Sequence, residues 1–276
     1  MKSKCLMIGL VMLLPARFSW AHSDVLVTNV GGQVAVGSAE DINGPQESFD
    51  LDTRVFESIL RGGFSHPTLA ADYEAVEPGF FALNAVSDAA DLASLGASAL
   101  PTGAGVSLSL SSFTLDGDSA TLFYWSGTGP VNFDPAPAGT TFEFQPATNF
   151  ATTGPNGDMD NHPVYRLNVG GSGMPADGVY LIAATVDVAG LAASNKFFAV
   201  LLVDQLIDTE DDLEELEEAL EALEEGISST AFFHGKDFAF YEDAVEFVED
   251  NIAVPEPSAA VLAMLAMGLV TLRRGN

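Results

Sequence analysis

Val106-Ser107-Leu108-Ser109-Leu110-Ser111-Ser112-Phe113-Thr114-Leu115, closed by Asp116-Gly117-Asp118, decides how this chain is read. Apolar residues alternate with small polar ones at a period of two. That spacing sets one face against a core and the other toward water, as in a half-buried strand. The Asp-Gly pair then supplies the residues a tight turn needs. The same grammar recurs on both sides. Val25, Val27 and Val30 lead into Gly31-Gly32, and Val34 and Val36 resume the alternation, which predicts a hairpin. Residues 41–52 read as a loop, 54–60 as a strand or short helix, 67–79 as irregular and 80–87 as a strand. Downstream, 120–125, 140–144, 164–169, 179–188 and 197–203 are apolar runs separated by Gly, Pro and Asp turns. Short strands at this spacing predict a mainly β fold, a β-sandwich of immunoglobulin-like or jelly-roll-like kind, over residues 22–205.

The pattern changes over 206–253. Leu213, Leu216, Leu220, Leu223 and Ile227 step by three and four, which predicts an amphipathic helix over 210–227. Its other faces carry acids and no base. Like charges at that spacing repel, so the helix needs the body of the protein or cations to lean on, unless it serves as a stalk. A second amphipathic helix is expected over 241–251, with Ala244, Val245, Phe247 and Val248 on its apolar side. Phe232, Phe233 and the 238–240 stretch lie between the two, placed to pack them onto the sandwich.

Both ends read as export labels. Lys2 and Lys4 precede an apolar core over 5–14, and Ser19-Trp20-Ala21 puts small residues three and one before a cut. This predicts a secretory signal peptide over 1–21, removed by signal peptidase. Cys5, the only cysteine, leaves with it, so the exported part has no thiol chemistry and no disulfide. At the other end, Pro255-Glu256-Pro257 is followed by an uncharged run over 259–272 and by Arg273-Arg274. The prolines cannot sit within a helix, so a hydrophobic helix is expected to begin after them. The run is short for a span of roughly 20 apolar residues, and the arginines are expected to stay on the cytoplasmic side.

The tail 254–276 resembles the PEP-CTERM sorting signal of bacterial surface proteins. The resemblance implies an exosortase-type transpeptidase as partner, with Pro255, Glu256, Pro257, Arg273 and Arg274 as recognition residues. It also implies transient anchoring in the inner membrane, release to the envelope or extracellular matrix, and a setting rich in extracellular polysaccharide.

Between residues 22 and 254 the chain holds 38 acidic residues against 5 basic ones, a net charge of about −33. Nucleic acid and anionic lipid headgroups are excluded as partners, because both need a basic footprint. The charge favours solubility and a diffuse attraction for divalent cations.

Chemistry has few places to reside. Cutting after Ala21 leaves His22 as the first residue, and its amine and imidazole together form a chelating pair for copper. A second imidazole, from His66 or His162, would complete a brace like that of copper-dependent polysaccharide monooxygenases. Asn156-Gly157-Asp158-Met159-Asp160-Asn161-His162 reads either as an Asx-rich turn or as a cation loop using Asp158, Asp160 and His162. Residues 162–203 resemble surface-anchored β domains linked to metal-uptake loci. Those domains carry several adjacent histidines where this chain keeps His162 alone. Calcium, zinc and copper therefore all stand as candidate ions for His22, His162, Asp158 and Asp160. Phe123-Tyr124-Trp125 reads as core packing or as a sugar platform. No serine-hydrolase elbow, phosphate loop or zinc-protease helix occurs in the sequence. The expectation is a non-enzymatic surface protein that binds cations or polysaccharide.

Overall fold

The computed structural model describes residues 23–42, 44, 47–61, 73–170 and 174–253. His22, His66 and the residues expected to form a leader (1–21) and a sorting signal (254–276) therefore lie outside the described residues. Among the described residues no helix is long and apolar enough to cross a membrane. The fold is mainly β, with several sheets stacked as a sandwich.

Its centre is the antiparallel pair Gly178–Val188 and Phe197–Val203. These runs are apolar at nearly every position, so both faces must be covered. Tyr180, Ile182, Ala184, Phe197, Ala199 and Leu201 point into one core. Their neighbours Val179, Leu181, Ala183, Phe198, Val200 and Leu202 point into a second core on the opposite face. Val55–Leu60 lies parallel to Phe197–Val203 at one edge, which makes residues 54–60 strand rather than helix. Leu122–Trp125 and Gly105–Ser111 pair with successive lengths of Gly178–Val188 on its other side. The Val-Ser-Leu-Ser alternation works as expected: Val106 and Leu108 are buried in the first core.

A five-stranded sheet covers the first face, in the order Met159–Asn161, Phe80–Ala82, Asp24–Val30, Gln33–Glu40, Ser48–Asp50. Gly31 and Gly32 turn its hairpin with φ of +63° and +92°, the pair of left-handed conformations that a two-residue turn with the strands' own twist demands. A three-stranded sheet, Thr140–Gln145, Val164–Val169 and Glu74–Ala75, closes the same core through Phe142, Phe144, Tyr165 and Leu167. The expected strand over 80–87 is shorter. It ends at Ala82, and the chain turns into helix α1 (Ala89–Ser94), whose single buried residue is Leu92. Glu74–Ala75 adds a short strand where irregular chain was expected.

Helices α2 (Glu210–Glu224) and α3 (Ala239–Asn251) cover the second face. Thr209 opens α2 with a reciprocal cap: its hydroxyl accepts from the Asp212 amide, and the Asp212 carboxylate accepts from the Thr209 amide. The acids of its first turn also suit the positive end of the helix dipole. Leu213, Leu216 and Leu220 are buried against the sheet, so the acidic segment packs on the body instead of standing off as a stalk. The helix stops before Gly226, and Ile227 is exposed rather than part of the stripe. From α3, Tyr241, Ala244, Val245 and Val248 are buried. The Tyr241 hydroxyl accepts from the Ser58 amide at 3.1 Å and donates to the Val200 carbonyl at 2.9 Å, which pins the helix to two neighbouring strands. Phe233 and Phe238 fill the space between helices and sheet, while Phe232 faces solvent.

Candidate metal centre

Three segments distant in sequence meet at one end of the five-stranded sheet. Val25 lies beside Phe80, and Phe80 beside Asn161. The next row outward therefore holds Asp24, Gly79 and His162. Gly79, between the other two, has no side chain, so those of Asp24 and His162 close over it. A Cβ on Gly79 would fall 2.5 Å from His162 Cε1, 2.7 Å from its Nδ1 and 2.8 Å from Asp24 Oδ1. The Gly79 amide instead donates to Asp24 Oδ1 at 2.8 Å. Asp160, two residues before His162, projects to the same side, as strand alternation requires.

Asp24, Asp160 and His162 each offer a donor atom, and these atoms lie within 4.8 Å of one another. Asp24 is buried, while Asp160 and His162 are exposed. Glu77 adds a third acidic side chain: its Oε1 is 3.2 Å from His162 Nδ1, which also lies 3.2 Å from the Val76 carbonyl. His162 Nε2 is 3.5 Å from Asp160 Oδ1.

Metal-free, this arrangement favours an imidazolium. The hydrogen bond to Glu77 outweighs partial burial, and the His162 pKa is pushed up to about 9. Asp24 is pushed up to about 6, chiefly by burial and then by the Glu77 charge. One imidazole nitrogen and two carboxylates are a borderline donor set, suited to zinc and its neighbours in the first transition row. An oxygen-only calcium loop would use different ligands.

Of the ligands expected from sequence, Asp160 and His162 come together and Asp158 does not join them. The Asp158 carboxylate turns to Asn84 Nδ2 at 3.3 Å and lies over Gly154, in a turn closed by the Gly154 amide to the Asp158 carbonyl at 2.8 Å. That half of the motif is the Asx-rich turn. His22 falls outside the described residues, and with it the copper brace. Phe123 and Trp125 are buried beneath α3, Trp125 against Phe133 and Phe240. They are core residues, not a sugar platform. His234 stacks on Phe233 with 4.1 Å between ring centroids and lies 3.6 Å from Asp212.

Asp24, Glu77 and Gly79 are the members that sequence reasoning missed. Glu77-Pro78-Gly79 carries only a turn signal, and nothing local to Asp24 marks it. Comparison with protein-family models, with curated proteins and with solved structures gives no match.

Proposed function

We propose that this chain is an exported, non-enzymatic protein of the cell envelope or extracellular matrix, and that it holds a divalent transition metal at Asp24, Asp160 and His162. The convergence of those three donors over Gly79 carries the metal part of the reading. The basic-apolar leader, the Pro255-Glu256-Pro257 tail with Arg273 and Arg274, and the net charge of about −33 support export and sorting by an exosortase-type enzyme. Acidic surface and polysaccharide would then meet through shared cations rather than through a sugar-stacking platform.

The test has two parts. The exported protein, freed of metal and titrated with zinc at mildly alkaline pH, should bind one ion per chain, and His162→Ala should lose at least tenfold in affinity. Equal binding by the two proteins removes the metal centre. Fractionation of the native host should place the protein in the envelope or matrix, and deletion of 254–276 should release it into the medium. A cytosolic protein retaining both ends would overturn the export reading.

A further inference from the structure

The turn Val76-Glu77-Pro78-Gly79 does more than leave room over its glycine. All four of its carbonyls have partners. That of Val76 faces His162 Nδ1 at 3.2 Å, and that of Glu77 accepts from Ser58 Oγ at 2.6 Å. That of Pro78 accepts from the Tyr165 hydroxyl at 3.0 Å, and that of Gly79 from the Val25 amide at 2.8 Å. Ser58, Tyr165 and Val25 are buried, so the turn is tied to the body rather than left to solvent.

The Glu77 side chain is fixed as well. The Gly79 amide donates to its Oε2 at 3.1 Å and to Asp24 Oδ1 at 2.8 Å, so one N–H steadies both carboxylates. Glu77 Oε1 is left for the ring of His162, 3.2 Å from Nδ1.

The two nitrogens of that ring therefore stand in different surroundings. Nδ1 faces the Glu77 carboxylate and the Val76 carbonyl, both of them hydrogen-bond acceptors. Nε2 faces the Asp160 carboxylate at 3.5 Å. A metal takes only a ring nitrogen that has given up its hydrogen. At Nδ1 that would set a bare lone pair against two oxygens. At Nε2 it sets the lone pair beside a carboxylate that shares the ion.

We infer that Glu77 is the positioning residue of the metal centre. It accepts the Nδ1 hydrogen, holds the ring, and commits Nε2 to the ion beside Asp24 and Asp160. It stands outside the three-donor group itself, with its oxygens turned to the Gly79 amide and the ring. A carboxylate behind an imidazole also makes the ring a stronger donor. This inference rests on the metal reading above and adds which nitrogen binds and what orients it.

The test uses the exported protein, isotope-labelled at its histidine nitrogens and loaded with zinc at mildly alkaline pH. Nitrogen NMR tells the two ring positions apart, and His162→Ala identifies the signals of this ring. Nδ1 should carry the hydrogen and Nε2 the zinc; zinc on Nδ1 overturns the inference. Glu77→Ala should weaken zinc about tenfold or more. Glu77→Gln, which keeps an acceptor oxygen but not the charge, should weaken it less. The Nδ1 hydrogen should exchange with solvent faster in Glu77→Ala than in the parent. Unchanged affinity in both variants overturns the role, and so does a loss in Glu77→Gln as complete as in His162→Ala, which would make Glu77 a ligand. A parent that binds no zinc brings down the metal reading and this inference with it. A parent whose zinc is lost in His162→Ala but kept in full by both Glu77 variants brings down the inference alone.

Discussion

Gly79 is the residue on which the proposed metal centre turns. Its missing side chain is the space in which Asp24 and His162 meet. Gly79→Ala should leave most of the sandwich intact, because the cores are elsewhere, yet weaken zinc at least tenfold by driving the two ligands apart; titration of the variant checks this. Protons compete for the same atoms. A metal must displace the His162 proton, so below about pH 9 its apparent affinity should fall about tenfold per pH unit. Below about pH 6 Asp24 protonates as well, and the fall should approach a hundredfold per unit. Zinc titrations across this range test both slopes. Part of the centre was legible in the sequence, since Asp160 and His162 sit two apart at the end of the strand Met159–Asn161. The rest was not. Asp24 and Gly79 join them only through pairing between strands far apart in the chain, and no periodicity in a single strand announces its neighbours.

At the scale of elements, legibility followed locality. The Gly31-Gly32 hairpin, the alternating serine strand and the unbroken Phe197–Val203 run are each determined by residues within a few positions, and each forms. Helix α1 escaped because one buried leucine makes no stripe. The strand Val55–Leu60 was ambiguous for a physical reason. Glu57 and Ser58 interrupt its apolar run, and their burial becomes intelligible only once α3 lies over the sheet. Helix α2 lends itself to a direct test. Leu220 is fully buried against the sheet, and Leu220→Ala should cost about 3 kcal/mol in chemical denaturation, from lost transfer energy plus the cavity. Thr209→Ala, which removes one side of the cap, should cost about 1 kcal/mol by the same measurement.

For the whole molecule, charge sets the conditions of stability. With about 33 excess negative charges over residues 22–254, self-repulsion opposes the compact state. Raising sodium chloride should therefore raise Tm until screening saturates. The pH dependence has a definite sign. Glu242 is raised from 4.5 to about 8, so its folded form binds the proton more tightly than the unfolded chain does. The stability this lends is complete below 4.5 and lost as pH rises through about 8. Without divalent ions, thermal melts should show Tm falling across that window, and Glu242→Gln should flatten the fall.

Tyr241 brings these scales together. Its phenol stands between the amide of Ser58 and the carbonyl of Val200, doing for the sheet what one backbone group usually does for another. Whenever α3 lifts away, that single amide loses its acceptor and trades its hydrogen for deuterium from solvent. The exchange rate at Ser58 is thus a clock for the opening of the helical layer, readable in an intact protein without a label.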